Sequence, residues 1–221
     1  MNILAIDTST EACSAALLRD DGAVFSSFEV APRQHMRLLP QMMQTLLSDA
    51  GLSKPKLDFC AFANGPGAFT GIRIAAAQAQ GIALGLGIPL LPISTLATLA
   101  QTGLDRYDCN RPLVALDARM QEIYCAEYER DESGLARLLG EERLCAVDAF
   151  PMQGVADYGI GHGWLESLRE SAAVPVDAEL LPDARSMLKL AQRSAELGQG
   201  ISANQIHINY LRNKVAEKAR G

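Results

Sequence analysis

The sequence is poor in histidine, in paired cysteines, in basic charge and in unbroken apolar runs, and each shortage excludes something. The three histidines, His35, His162 and His207, are far apart. His35 opens HMRLL, and the position where a helical metal-binding pair would place a second histidine is Leu39. No dedicated transition-metal site is expected. The five cysteines include no C-x-x-C pair, which reads as reduced thiols of a cytoplasmic protein. The net charge of -6 and pI near 5.1 lack the basic footprint of a free-standing nucleic-acid binder, so any RNA contact is expected through a partner. The most apolar stretch, Gly71 to Ala100, is broken by Arg73, Gln78, Gln80, Pro89 and Pro92. It falls short of the roughly 20 continuous residues of a membrane span. The opening MNILAID has no basic segment and runs into Asp7, so it reads as a strand and not a secretion signal.

What is present is an ordinary globular composition, 48% apolar and 21% charged over 221 residues, enough for one large domain or two small lobes. NILAID, CSAALL and AVFSSFEV read as three strands, with an Asp-Gly turn before the third. After Pro32 a helical pattern runs to about Ala50 and stops at Gly51. Its apolar residues include Met36, Leu38, Leu39, Met42, Met43, Leu46 and Leu47. They cover about half the circumference, more than a helix on one sheet needs. The excess, Leu38 and Met42, suggests a second surface to bury, and Pro40 suggests a kink or the true helix start. LDFCAFA is a strand, and a second helix follows from about Thr70 to Leu86. That helix is full of glycine and alanine, a composition that lets another backbone come close. IPLLPIS is a strand, TLATLAQTG a helix ending at Gly103, and LDRYDCNRP a polar boundary.

The pattern then repeats. PLVALD ends in Asp117 as NILAID ends in Asp7, IYCAEYERDESG follows as CSAALLRDDG does, and Gly161-His162-Gly163 echoes Gly65-Pro66-Gly67. The matches suggest a duplicated strand-strand-strand-helix-strand unit. A further helix spans about Asp183 to Leu197, before a locally basic tail that contains Arg212, Lys214, Lys218 and Arg220.

Two features invite chemistry. NGPGAFTGIR joins a strand to a helix N-terminus, where free N–H groups suit an anion. Gly65, Gly67, Thr70 and Arg73 are the candidate anion-binding residues. The loop lacks the Gly-Lys-Ser/Thr of a P-loop and the spacing of a dinucleotide fingerprint, and it can equally be a tight turn. Asp7 and Asp117 would face one cleft if the two units are related by a pseudo-two-fold, where they could hold magnesium. Each can equally cap its own turn. In such folds a glycine stands two residues after the aspartate, whereas here Ser9 and Arg119 do. No Gly-Gly pair appears in the last third, where a two-lobed ATPase holds adenosine.

Taken together, ILAIDTSTEACSAAL, PRQHMRLLP, NGPGAFTGIRIAAAQAQGIALG, ISTLATLAQ, ALDARMQEIYCAEY and YLRNKVA resemble the tRNA threonylcarbamoyladenosine biosynthesis family TsaB, formerly YeaZ. The resemblance spans nearly the whole chain, with about Arg130 to Pro182 matching mainly in spacing. It implies an α/β fold of the actin, Hsp70 and sugar-kinase (ASKHA) type. This has two duplicated RNase-H-like lobes with mixed sheets flanked by helices, expected at 1–104 and 105–221, with the C-terminal tail packing back on the first lobe. It implies a non-catalytic scaffold without a cofactor or metal, pairing with a TsaD-like transferase that modifies the adenosine beside the anticodon. A TsaE-like ATPase would join, tRNA would be met only through the complex, and the chain alone would form a homodimer. The pairing surface carries over onto the two helices, with His35, Leu38, Leu39, Met42, Ala75, Ala79 and Ile82 as expected contacts. The rival readings are an ATP-dependent kinase or ATPase using Asp7 and Asp117, and a metallopeptidase-like activity, against which Leu39 in a ligand position argues.

Overall fold

The computed structural model describes residues 1–151 and 156–212. In chain order the strands and helices are β1 (Ile3–Asp7), β2 (Ala12–Leu18), β3 (Val24–Val30), α1 (His35–Asp49), β4 (Phe59–Ala63), α2 (Phe69–Leu86), β5 (Leu90–Ile93), α3 (Thr95–Arg106), β6 (Pro112–Arg119), β7 (Glu122–Arg130), β8 (Ala136–Ala146), β9 (Tyr158–Ile160), α4 (Glu166–Glu170), β10 (Val176–Asp177) and α5 (Ala184–Glu196). They form two five-stranded sheets, ordered β3-β2-β1-β4-β5 and β8-β7-β6-β9-β10. In each sheet the first three strands pair antiparallel and the last two join in parallel. The duplication read from the sequence is therefore the same topology laid down twice, the pair of RNase-H-like lobes of an ASKHA fold.

β1 is buried on both faces, as its unbroken apolar run requires. Leu4 and Ile6 point to α1 and α2, with Leu39, Leu46, Ala75 and Ala79. Ile3 and Ala5 point the other way, to Ala184, Met187, Leu188 and Ala191 of α5. In the second sheet Val114, Leu116 and Tyr128 pack against Leu96, Leu99 and Ala100 of α3. The opposite face holds Leu113, Ala115, Cys125 and Trp164. α3 thus serves the second sheet although it follows the first, while α5 returns to the first sheet. The segment after α5 first runs along the first sheet: Ile201 bridges to Leu90, and the Asn209 amide donates to Asn64 O at 2.8 Å. Among the described residues no helix is long and apolar enough to cross a membrane.

Several expectations are corrected. Leu38 and Met42 are only 8% and 7% exposed and belong to the core beneath α1. The wide apolar arc is consumed inside the chain, because α1 packs on the sheet with α2 alongside it. Pro40 lies inside an unbroken helix, on its exposed side. Gly103 does not end α3; it lies within the helix, where a Cβ would meet Ile160 Cδ1 at 2.0 Å. Between β8 and β9 the described residues hold only a 3-10 turn at Val147–Ala149, so the second lobe has no counterpart of α1 among them.

Candidate functional site

Two concave features stand out. The first is a cleft of about 420 Å³ between the lobes. Its walls begin at the ends of β1 and β6, where the chain turns sharply and the two aspartates sit in equivalent places. Asp7 Oδ1 accepts from the Ser9 amide at 2.7 Å and the Ser9 hydroxyl at 2.6 Å. Its Oδ2 has no hydrogen-bond partner among the described residues. Burial pushes the Asp7 carboxyl up to about 6, against the Ser9 bonds. Asp117 Oδ1 accepts from the Arg119 amide at 2.7 Å, and Oδ2 from Arg119 Nη1 at 2.9 Å. Each aspartate caps its own turn, and Asp117 is also neutralised by Arg119.

The second turn is held in an uncommon backbone conformation. Arg119, Met120 and Gln121 have φ of 64°, 57° and 61°, the left-handed region where non-glycine residues are sparse. Arg119 takes the backbone shape that glycine usually supplies, and its side chain turns back to Asp117. The Asp117 amide donates to His162 Nδ1 at 3.0 Å, which leaves Nε2 as the protonated nitrogen of the neutral ring. Nε2 lies 4.0 Å from Glu11 of the first lobe, as does Arg119 Nη2. Burial lowers the His162 pKa, opposed by Glu11 and Asp117.

The glycines of the loop lie hard against the chain's own backbone. Gly65, at φ 105° before a cis peptide to Pro66, presents its bare Cα to the backbone of the C-terminal segment. A Cβ there would lie 2.8 Å from Asn209 O. At Gly67 it would lie 2.5 Å from Ser9 O, and at Gly71 1.9 Å from Thr8 O. Thr8 Oγ1 in turn donates to Gly71 O at 2.7 Å. Arg73 donates to Phe69 O and stacks on the Phe69 ring at 3.2 Å. Of the four anion candidates, Gly67 lines the cleft, Thr70 and Arg73 line a depression beside Met36, and Gly65 lines neither. Gly67 and Gly71 are there because α2 starts hard against the β1–β2 turn.

The second feature is a groove of about 540 Å³ between α1 and α2. Pro40, Met43 and Leu47 form one wall; Ala77, Gly81 and Gly85 form the other. A Cβ at Gly81 or Gly85 would meet nothing within 4 Å. A smaller depression continues past Ala77 and Gln78 to Met36 and Phe69, which are 72% and 58% exposed. The expected contact residues lie mostly beneath the surface of the chain. His35, Leu38, Leu39, Met42, Ala75 and Ala79 are buried in the chain's own core, and His35 Nε2 is spent 3.2 Å from Ala12 O. Ile82 alone of the seven lines the groove. The sequence signal for the groove wall is the i, i+4, i+8 spacing of Ala77, Gly81 and Gly85. Of the basic tail, Arg212 donates to Ala118 O at 3.0 Å and to the Glu122 carboxylate. Lys214, Lys218 and Arg220 lie outside the described residues.

The geometry matches known proteins. Residues 28–151 match the family described as TsaD, tRNA N6-adenosine threonylcarbamoyltransferase. The tRNA threonylcarbamoyladenosine biosynthesis protein TsaB of Escherichia coli (strain K12) is 41% identical, over 99% of this chain and 97% of its own length. That of Haemophilus influenzae (strain ATCC 51907 / DSM 11121 / KW20 / Rd) is 35% identical over 99% and 96%. The solved structure of YeaZ from Pseudomonas aeruginosa superposes with a TM-score of 0.87, at 42% identity over 95% of this chain and 99% of that one. With identity sustained over both lobes, the chain belongs to the TsaB family of tRNA threonylcarbamoyladenosine biosynthesis proteins.

Proposed function

We propose that the chain serves threonylcarbamoyladenosine modification of tRNA as a non-catalytic scaffold, pairing with the TsaD-like transferase through the α1–α2 groove. The observation that carries this reading is the row of Ala77, Gly81 and Gly85 along one wall of a largely apolar groove, with open space over both glycines. Glycine in a helix interior costs about 1 kcal/mol relative to alanine. Outward-facing glycines with nothing of their own chain above them suit the close approach of a partner's backbone. The apolar rim of Met36, Pro40, Met43 and Phe69 suits burial in an interface.

The cleft supports leaving catalysis to the partner. Asp117 is committed to Arg119, and Asp7 is enclosed and held by Ser9. Neither is an open magnesium ligand. Among the described residues no three His, Cys, Asp or Glu side chains group as a metal site. In this reading residues 1–104 and 105–221 are the two lobes and the chain is cytoplasmic. A TsaE-like ATPase joins the pair, tRNA is met through the complex, and the isolated chain pairs with itself by the same groove, since a two-fold contact is self-complementary.

The test is size-exclusion chromatography with light scattering, on the chain alone and mixed with its host's TsaD-like paralogue. A one-to-one species is expected, lost in Gly81→Glu while the variant's circular dichroism stays native. Failure of the wild-type proteins to associate overturns the reading. ATP binding by the isolated chain, abolished in Asp7→Ala, would move it to the kinase class.

A further inference from the structure

Away from the cleft and the groove, two nucleophilic side chains touch. Cys125 Sγ and Cys145 Sγ lie 3.5 Å apart. β7 and β8 pair with Ile123 opposite Cys145 and Cys125 opposite Arg143, so the thiols are diagonal neighbours on one face of the sheet. Both pack with Ile123, Phe150 and Trp164. Cys13, Cys60, Cys109 and Cys125 are buried, whereas Cys145 is half-buried. Cys145 also lies on β8, the outer strand of its sheet, where a small solute can reach it.

We propose that Cys125 and Cys145 form a redox modification site that closes to an intrachain disulfide under a two-electron oxidant of the peroxide class. The Cys145 thiolate attacks one peroxide oxygen. The O–O bond breaks, Cys145 becomes a sulfenic acid, and the other oxygen leaves as water after taking a proton. The Cys125 sulfur then attacks the Cys145 sulfur; the S–O bond breaks, the S–S bond forms, and hydroxide departs with the Cys125 proton as a second water. The two thiols lose two electrons and two protons, and the peroxide is reduced to water. A dithiol reverses the change.

Contact geometry makes the second step favourable. Drawing the sulfurs to a bond of about 2.05 Å needs a movement of about 1.5 Å, and the attacking atom already stands at near-attack distance. The first step is slow at neutral pH, because burial, and then the neighbouring sulfur, push the Cys145 thiol up to about 12. The reaction accelerates as pH rises and the thiolate fraction grows. The closed ring would bind the outer strand to β7 beside Glu122, which pairs with Ala146 and whose carboxylate holds Arg212.

The experiment treats the full reduced chain with hydrogen peroxide at mildly alkaline pH, alkylates it in denaturant and digests it with trypsin without reduction. Free thiols are expected to fall from five to three. Tryptic peptides 120–130 and 144–169 should appear joined, lighter by two hydrogens than their sum, and be separated by dithiothreitol. In Cys145→Ser the joined pair should vanish. Sulfinic acid on Cys145 with Cys125 still free overturns the proposal, as does a link from either residue to Cys13, Cys60 or Cys109, or a link between chains.

Discussion

Asn209 and Glu142 are hydrogen-bonded across the lobes: the Asn209 side-chain amide donates to Glu142 Oε2 at 3.1 Å. The other Glu142 oxygen accepts from the buried Tyr128 hydroxyl at 2.7 Å and from Ser94, the N-cap of α3. With the Asn209 backbone on Asn64, one carboxylate gathers the end of the first sheet, the returning C-terminal segment and the core of the second lobe. Glu142→Ala removes the carboxylate that accepts from the buried Tyr128 hydroxyl, and a buried donor deprived of such a partner costs about 1–3 kcal/mol. Urea unfolding should show that loss. Tyr128→Phe in the Glu142→Ala background should cost much less than in the wild type. Equal costs in both backgrounds would mean that the two groups are not coupled.

Asp7 makes stability depend on pH. Its folded-state pKa is raised by burial from 3.8 to about 6, so the folded chain holds this proton more tightly than the unfolded chain does. The associated stability is fully present below 3.8 and is lost as pH rises to about 6, on the order of 3 kcal/mol at most. Asp7→Asn removes the titration. Its urea midpoint is expected to fall less than that of the wild type across this window and to be higher at neutral pH. Parallel curves would count against an enclosed, proton-retaining Asp7.

Two glycines of α2 should behave oppositely. A Cβ at Gly71 would meet Thr8 O at 1.9 Å, so Gly71→Ala must push α2 off the β1–β2 turn, a loss of about 3 kcal/mol. At Gly81 a Cβ meets nothing within 4 Å, so Gly81→Ala should stabilise the isolated chain by about 1 kcal/mol. Thermal melts of the two variants separate them. A neutral Gly71→Ala would deny the close contact.

The same division separates Leu38 from Met36. Leu38→Glu places a carboxylate among Leu39, Met42 and Ala75 and is expected to unfold the chain or lower its stability by several kcal/mol, roughly the scale of an uncompensated buried charge. Met36 is exposed at the end of the groove. Met36→Glu should leave stability within about 0.5 kcal/mol of the wild type while weakening association with the TsaD-like paralogue. Circular dichroism and light scattering on the same samples distinguish the outcomes.

Much of this could be read in the chain. Strand-length apolar runs ending in Asp7 and Asp117, and the glycine echo at Gly65 and Gly161, revealed a duplicated α/β unit, because alternation and turn chemistry are local. The lack of a P-loop lysine after the glycines, and Leu39 in place of a second histidine, were also legible, since each is a fact about residue identity. Tertiary structure alone decided what each apolar or small residue faces. Periodicity gives the angular width of a helix's apolar arc but not the number of surfaces that cover it. Leu38 and Met42 therefore looked like spare interface and proved to be core, because α2 and the first sheet together close over α1. A glycine likewise signals that something comes close or that nothing does. At Gly65, Gly67 and Gly71 the neighbour is this chain's own backbone, brought from positions 209, 9 and 8. At Gly81 and Gly85 the space is open. That distinction rests on contacts between residues distant in sequence, so it exists only once the chain is folded.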